Sequence, residues 1–233
     1  MANLYLIPIT LGESELESVI PATHREIILS ISHFIVENVR TARRFLKKVD
    51  REIDIDNLHF YELNKHTDKK QLHSYLEPLN QDLHVGIMSE AGCPGVADPG
   101  ADVVRIAHEK NIKVVPLVGP SSILLAMMAS GMNGQNFAFN GYLPIKKNEK
   151  AQQIKLLEKR IYTENQSQLF IEAPYRNLQL LDDLLQNCQP HTKLCIACDL
   201  TLETEFIKTQ SIDGWKKSKP DIQKRPAIFV LGT

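Results

Sequence analysis

Two turns rich in glycine and proline are the parts of this sequence best suited to chemistry. Residues 89–100 read Ser-Glu-Ala-Gly-Cys-Pro-Gly-Val-Ala-Asp-Pro-Gly, and residues 119–122 read Gly-Pro-Ser-Ser. Small residues let a ligand approach the backbone, and the start of a following helix offers free N–H groups to a polar or anionic group. The two turns therefore indicate a ligand site, although tight turns alone would show the same spacing.

A second candidate feature is a basic run that directly follows Glu37 and Asn38. Its members are Arg40, Arg43, Arg44, Lys47 and Lys48, and a further basic segment contains Lys146, Lys147 and Lys150. Such runs form either a solvated helix face or a patch that contacts the phosphates of a nucleic acid. No strip of aromatic residues accompanies them, so general single-strand binding by base stacking is not indicated.

Other familiar sites are missing or weak in this sequence. It contains neither G-x-x-x-x-G-K-[ST] nor G-x-G-x-x-G, which argues against a phosphate-loop nucleotidase and a standard dinucleotide fold. Cys195 and Cys198 form one C-x-x-C pair without a second, and on a strand they would face opposite sides. The eight histidines show no ligand spacing. We expect buried thiols and no metal site.

Strands and helices are needed to position these turns. Strand-like and helix-like segments alternate through the first half, which predicts a mostly parallel sheet with crossover helices. Predicted strands cover 4–9, 33–36, 84–88, 113–118, 137–143, 168–172, 193–199 and 226–232. Predicted helices cover 26–31, 40–48, 70–79, 101–110, 123–130, 151–161 and 178–188. Residues 145–150 read as a linker, so the expected domains are 1–144 and 145–233.

Composition sets the class of protein. The chain has 233 residues, of which 43% are apolar and 24% charged, and this excludes disordered and fibrous classes. The net charge is -1, so a polyanion would have to bind a local patch. No apolar run has the length of a membrane span, and the first residues do not read as a signal peptide. Four cysteines are too few for a disulfide framework. We expect a cytoplasmic protein that binds no membrane.

The order of the motifs resembles the tetrapyrrole methylase family of S-adenosylmethionine-dependent methyltransferases. Within that family it resembles the small-subunit ribosomal RNA (cytidine 2′-O) methyltransferase branch. The matching segments are 4–9, 37–46, 89–100, 115–122, 129–131, 137–144, 172–176 and 199–201. The resemblance implies an α/β fold of two α/β domains with a cofactor cleft between them. It also implies S-adenosylmethionine as cofactor, S-adenosylhomocysteine as product, ribosomal RNA or the small subunit as partner, and a homodimer.

The resemblance also implies roles for individual residues. The residues expected to line the cofactor site are Pro8, Ser89, Glu90, Ala91, Cys93, Val96, Ser121, Ser122, Glu172, Thr201, Pro226 and Ala227. The residues expected to bind the substrate are Arg43, Arg44, Lys146, Tyr175 and Arg176. Glu37 and Arg40 are the candidate catalytic residues: Glu37 would orient the acceptor or take its proton, and Arg40 would position a phosphate. Alternatively, Glu37 pairs with Arg40 and only holds the loop.

Several motifs depart from the usual pattern of this branch. Residues 37–40 read Glu-Asn-Val-Arg for Glu-Asp-Thr-Arg, and residues 174–176 read Pro-Tyr-Arg for Pro-His-Arg. Three further motifs also differ from the usual ones. Residues 8–12 read Pro-Ile-Thr-Leu-Gly for Pro-Ile-Gly-Asn-Leu, residues 89–92 read Ser-Glu-Ala-Gly for Ser-Asp-Ala-Gly, and residues 199–202 read Asp-Leu-Thr-Leu for Glu-Leu-Thr-Lys. The changes concern the acceptor side more than the cofactor side. Two alternatives therefore stay open: methylation of a small molecule such as a tetrapyrrole, and a cofactor-binding protein that has lost catalysis.

Overall fold

The computed structural model describes residues 2–64 and 66–233. The chain divides into two compact units, Met1–Ser121 and Ser122–Thr233, and each contains a five-stranded sheet. The predicted α/β fold class is confirmed. The expected domains 1–144 and 145–233 divide the chain at a later residue than these units do, and they remain a prediction about domain organisation.

The first unit is a parallel sheet. Its strand order is β3-β2-β4-β1-β5, and every neighbouring pair is parallel, as the alternation of strands and helices predicts. The strands are β1 (Asn3–Ile7), β2 (His33–Val36), β3 (His59–Glu62), β4 (Val85–Met88) and β5 (Lys113–Pro116). The α-helices are α1 (His24–Leu29), α2 (Val39–Val49) and α3 (Gly100–Glu109), and short 3₁₀ turns cover Leu16–Ser18 and Ile55–Asn57. Strand β3 is absent from the sequence prediction.

Helical segments cover both faces of the first sheet, because successive strand residues point to opposite sides. Phe34 packs with Ile28 of α1 and Leu46 of α2. On the other face, Ile35 belongs to a cluster that includes α3 and the segment Lys69–Gln81. That segment is a 3₁₀ helix, so the helix predicted over 70–79 is present but is of the 3₁₀ type and not the α type that its apolar spacing indicates. It contains Pro78, which lacks the N–H that an α-helix interior needs.

The second unit has a mixed sheet. Its strand order is β6-β7-β10-β8-β9, in which β6 and β7 are parallel and the other neighbouring pairs are antiparallel. The strands are β6 (Phe137–Tyr142), β7 (Ser167–Ile171), β8 (Lys193–Cys198), β9 (Phe206–Ser211) and β10 (Ala227–Gly232). The helices are α4 (Ser122–Ser130), α5 (Lys147–Glu164), α6 (Asn177–Asn187) and α7 (Ile212–Lys217), with a 3₁₀ turn at Pro174–Arg176. The sequence prediction lacks β9 and α7.

The predicted linker over residues 145–150 is wrong. Helix α5 begins at Lys147, and Lys150 is buried within it, where its Nζ lies 3.0 Å from Asp183 Oδ2 of α6. The sequence around Lys150 is polar and basic, and its acidic partner is distant along the chain, so the local pattern gives no sign of burial.

Within residues 2–64 and 66–233, the structure contains no helix both long and apolar enough to span a bilayer.

Candidate cofactor and substrate site

The parallel strands of the first sheet bring several candidate residues to one edge. Pro8 follows β1, Glu37 follows β2 and Ser89 follows β4, while β5 leads into the turn that contains Gly119. Parallel strands end at the same edge of a sheet, and this edge is where open α/β sheets bind ligands. The topology therefore gathers the two sequence motifs and the candidate base, which are far apart in the chain.

Close backbone packing holds the loops after β1, β4 and β5 together. The backbone N–H of Ile9 donates to Gly92 O at 3.0 Å. Gly119 lies against Pro8 so closely that a Cβ at position 119 would be 2.2 Å from Pro8 Cγ. Gly92 has φ +71°, a conformation that favours glycine, and a Cβ there would lie 3.2 Å from Pro120 O. These glycines therefore serve the contact between loops, and the loops present backbone rather than bulky side chains.

The other candidate cofactor residues at this edge differ in exposure. Ser89 is buried, and its Oγ lies 3.3 Å from the carbonyl oxygens of Ala91 and Gly92, to which it donates. Cys93 is half-buried, and its thiol donates to Pro120 O at 3.4 Å. Burial raises the pKa of the Cys93 thiol, so it stays protonated. Three of the candidate cofactor residues are exposed: Glu90, Ala91 and Val96. The last two lie where the units divide: Ser121 ends the first unit, and Ser122 begins α4.

Carboxylates form the polar part of the same edge. Glu37 Oε1 accepts from the backbone N–H of Glu90 at 3.3 Å, and Glu90 Oε2 accepts from Thr41 Oγ1 at 3.1 Å. Asp98 holds its own turn by accepting from the backbone N–H of Gly100 at 2.7 Å. Burial raises the pKa of Glu37; the hydrogen bond from Glu90 opposes this, and the charges of Asp98 and Glu90 add to it. Burial also raises the pKa of Asp98.

Helix α2 starts at this edge and carries the basic run. Asn38 caps the helix, since its Oδ1 accepts from the backbone N–H of Arg40 at 2.9 Å. The described side chains show no ion pair between Glu37 and Arg40, so the pair considered from the sequence is not formed. Arg40 is exposed at the first turn of α2.

A groove of about 950 Å³ lies between α2 and residues 9–17, and we call it the α2 groove. Its basic lining residues are Arg43, Arg44, Lys47, Lys48 and Arg51, and its acidic ones are Glu13, Glu15, Glu17 and Glu90. Arg40 is not among the lining residues. The groove thus contains two of the five predicted substrate residues, Arg43 and Arg44.

The candidate cofactor residues of the second unit meet at one edge of its sheet. Glu172 follows β7, Thr201 follows β8, and Ala227 begins β10, the strand between those two. Pro226 O accepts from the backbone N–H of Asp199 at 3.0 Å. Thr201 has φ +72°, which is strained for a β-branched residue, and its buried Oγ1 has no hydrogen-bond partner among the described residues.

The three candidate substrate residues of the second unit differ in how free they are to contact a substrate. Arg176 Nε donates to Glu172 Oε1 at 2.9 Å, and this hydrogen bond raises the pKa of Arg176. The guanidinium carbon also lies 5.3 Å from the ring centre of Tyr175. Lys146 pairs with Glu149 at 3.0 Å on the surface. Arg176 is therefore committed to the buried Glu172 carboxylate, whereas Tyr175 and Lys146 are exposed.

Sequence reasoning missed some of the groups that shape these edges. Arg225 Nε donates to Asp199 Oδ2 at 2.7 Å and fixes the loop after β8. The two residues are 26 positions apart, so no local pattern could have paired them. Asp98 is a second such group, and here a local signal exists, because an acid within a Gly-Pro turn is typical of a carboxylate that holds the turn.

The C-x-x-C pair is buried, as predicted. Cys195 and Cys198 of β8 are free and fully buried, and so is most of Cys188. Burial raises the pKa of Cys198 to about 11, which keeps the thiol protonated at neutral pH. In the described part of the chain, no group of three or more His, Cys, Asp or Glu side chains could hold a metal ion.

Comparison with known proteins identifies sequence relatives over most of the chain. No family model matches. A "Ribosomal RNA small subunit methyltransferase I" from Buchnera aphidicola subsp. Schizaphis graminum is 28% identical over 233 residues, covering 98% of this chain and 77% of the relative. The protein of the same name from Bacillus subtilis is 28% identical over 220 residues, covering 92% of this chain and 70% of the relative.

Solved structures share the fold at low sequence identity. The methyltransferase CobJ superposes with a TM-score of 0.66 at 13% identity, covering 100% of this chain and 95% of that one. A uroporphyrin-III C-methyltransferase from Thermus thermophilus, solved with S-adenosylhomocysteine, has a TM-score of 0.59 at 13% identity, covering 99% and 97%.

These comparisons confirm the predicted enzyme class, a methyltransferase, and they confirm the resemblance on which it rested. The chain is related in sequence, along nearly its whole length, to the small-subunit ribosomal RNA methyltransferases and has the fold of the tetrapyrrole methyltransferases.

Proposed function

We propose that this chain transfers a methyl group from S-adenosylmethionine to the ribose 2′-oxygen of a cytidine in small-subunit ribosomal RNA. One observation carries the proposal: the α2 groove, whose lining includes five basic side chains, opens at the sheet edge that also holds the small-residue turns. Thr41 and Glu90 line the groove, and their hydrogen bond joins it to Glu37. The names of the sequence relatives support ribosomal RNA as the substrate.

Each sheet edge, considered by itself, offers groups that suit a sulfonium nucleoside. The packing of Gly119 on Pro8 makes the turn present backbone groups to a ligand. In the second unit, the buried and unbonded Oγ1 of Thr201 is a polar atom that a ligand can satisfy. When bound, S-adenosylmethionine supplies an electrophilic methyl group and is left as S-adenosylhomocysteine.

Glu37 takes the proton of the 2′-hydroxyl in this proposal. Bound S-adenosylmethionine would supply the methyl group to the ribose oxygen, and the Glu37 carboxylate would accept the proton that the hydroxyl loses. The hydrogen bond from Glu90 N orients that carboxylate, and its raised pKa brings it closer to the pKa expected of a useful base. Arg40, exposed at the start of α2, contacts a phosphate next to the acceptor.

The experiment measures transfer of labelled methyl groups to small subunits purified from cells that lack the modification. The double variant R43E/R44E reverses two charges in the α2 groove, and we expect it to lose RNA binding and methyl transfer. The matched control K155E/K159E reverses two exposed charges on α5 and is expected to keep both. Unchanged methylation by R43E/R44E would contradict the proposed substrate.

The same assay separates the two alternatives. Transfer to precorrin-type tetrapyrroles, with none to ribosomal subunits, would replace the RNA proposal by small-molecule methylation. Calorimetry with S-adenosylmethionine tests cofactor binding separately. Binding without transfer to subunits or to cell extract would indicate a protein that has lost catalysis.

Two further parts of the proposal concern assembly and location. We propose a homodimer, supported by α4, which is apolar around its circumference yet leaves Met128 79% exposed and Leu124 53% exposed. Light scattering tests this: M128E is expected to give a smaller particle than the unchanged chain, and equal masses would contradict it. We propose a cytoplasmic location because the substrate is ribosomal and all four cysteines are free.

A further inference from the structure

The cations of the α2 groove are not equally available to a ligand. Lys47 Nζ donates to Arg51 O at 2.9 Å and to Ile53 O at 2.8 Å, so it binds the chain that leaves α2. The Arg43 guanidinium lies 5.4 Å from the ring centre of Phe60. Two of the five basic side chains therefore already contribute to the fold.

The other three cations face the groove with little or no competition from the fold. The described residues give Arg44 and Arg51 no side-chain hydrogen bond and no ion pair. Lys48 is paired with the Glu13 carboxylate, whose side chain is 89% exposed. Arg44 and Lys48 are four residues apart on α2, so they lie on one face, about 6 Å apart along the axis.

We propose that the α2 groove binds the backbone of a single RNA strand and that Glu13 is the residue that makes this binding selective. Linked phosphates contact Arg44, Lys48 and Arg51 together, and Lys48 exchanges its partner from the Glu13 carboxylate to a phosphate. This inference rests on the proposed function, because it names how the RNA substrate is held.

The physical reason lies in the cost of opening the Glu13–Lys48 pair. A single free anion that contacts Lys48 replaces one ion pair by another and gains little. A strand that also contacts Arg44 and Arg51 gains two further phosphate contacts for the same lost pair and releases counterions at each. Glu13 therefore disfavours a small anion at Lys48 and admits a chain of linked phosphates there.

The experiment measures the binding of a labelled oligocytidylate to the full chain, without methyl donor, across a salt titration. We expect E13Q to bind about two- to five-fold more tightly than the unchanged chain, because Lys48 is then free from the start. We expect K48Q to bind more weakly and to reduce the slope of log affinity against log salt by about 0.7. In the K48Q background, E13Q should have a smaller effect, because only the weaker interaction of Glu13 with Arg44 is then lost.

Two controls make the test specific. E164Q removes one exposed negative charge at the end of α5 and should change affinity less than E13Q does. Cytidine monophosphate should bind E13Q more tightly than it binds the unchanged chain. Equal effects of E13Q and E164Q, or a full E13Q effect in the K48Q background, would overturn the role of Glu13. Equal displacement of the RNA by polyglutamate of the same charge would overturn the choice of RNA.

The result of this RNA-binding test can be distinguished from the result of the methyl-transfer test of the proposed function. The binding test needs no methyl transfer, so failed transfer to small subunits leaves it unaffected. Conversely, a failed binding test with intact transfer rejects the groove and Glu13 while keeping the methyltransferase. Thermal unfolding checks that E13Q and K48Q are folded, which is expected because Glu13 and Lys48 are exposed.

Discussion

The two units differ in where they keep their polar groups. Among the described residues of the first unit, the buried polar side chains are those of His24 and Ser89. In the second unit they are those of Ser130, Lys150, Glu158, Ser167, Gln168, Glu172, Asn177, Thr192 and Asp199. The first unit thus has an apolar interior with its chemistry at one edge, whereas the second builds hydrogen bonds and ion pairs into its interior.

Sheet topology explains this difference. A fully parallel sheet brings the ends of β1, β2, β4 and β5 to one edge, where small residues are enough to pack the loops. The mixed sheet brings the ends of β6, β7 and β8 and the starts of β9 and β10 to its candidate edge. The pairs Arg176–Glu172 and Arg225–Asp199 fix the loops there. The comparison teaches that paired charges fix the loops of the second unit, whereas glycine contacts and carboxylates that accept from backbone N–H groups fix those of the first.

The sharpest test of the comparison is K150M. This change removes the partner of Asp183 inside the second unit and leaves an unpaired, nearly buried carboxylate. We expect the free energy of unfolding to fall by about 3–5 kcal/mol. Urea unfolding of the full chain measures it as a lower midpoint at constant slope.

The matched control for this change is K147M, at the exposed start of the same helix. It should alter the free energy of unfolding by less than about 0.5 kcal/mol. If K150M and K147M were equally mild, the buried pair would not stabilise the second unit and the comparison would fail.

The next effect concerns catalysis at the edge of the first unit. E37Q keeps the shape of the side chain and an oxygen that can accept from Glu90 N, but it removes the proposed base. We expect methyl transfer to fall about 100-fold. The initial rate of labelled methyl transfer to small subunits measures the change, with E164Q as the control. A rate within twofold of the unchanged chain would remove Glu37 from the mechanism.

The raised pKa of Glu37 predicts opposite pH effects on rate and stability. The rate should fall as pH decreases through this raised pKa, because the carboxylate is then protonated. The stability contribution of Glu37 is present below its unfolded pKa and is lost as pH rises through the raised folded pKa. E37Q should therefore gain stability relative to the unchanged chain above that pH, and thermal unfolding at two pH values measures the gain.

A smaller effect is expected from G119A. Its Cβ would lie 2.2 Å from Pro8 Cγ, so the loops after β1 and β5 must move apart. Overpacking of this kind costs about 1–3 kcal/mol of unfolding free energy, and cofactor binding should weaken with it. The control G134A has no atom within 4 Å of the added Cβ and should cost less. Denaturant unfolding and calorimetry report the two effects separately.

The smallest expected effect tests the second edge. T201V keeps the branched shape and removes the buried, unbonded Oγ1, so no hydrogen bond within the fold is lost. We expect cofactor affinity in calorimetry to fall about five-fold, the value of one ordinary hydrogen bond. T163V, on α5, is the control. Unchanged affinity of T201V would show that this hydroxyl does not contact the cofactor.

The sequence predicted the first unit better than the second, for a physical reason. Turns of Gly, Pro and Ser after β-branched runs signal strand ends directly, so residues 89–100 and 119–122 could be placed at one edge. The α2 groove could be foreseen only in part, since Arg43 and Arg44 carry a local signal whereas the facing Glu13 does not. Lys150 and Arg225 could not be predicted, because their partners Asp183 and Asp199 depend on tertiary packing.

The position of β1 within its sheet has a consequence for the synthesis of the protein. This strand is the first of its sheet in chain order, yet its hydrogen-bonded neighbours are β4 and β5, which end at Met88 and Pro116. Pairings so distant in sequence form slowly, and each can form in the nascent chain only after its own later strand, β4 or β5, has left the ribosome. Strand β1 therefore gains its second neighbour only after Pro116 has been synthesised, and its apolar side chains depend on protection until then.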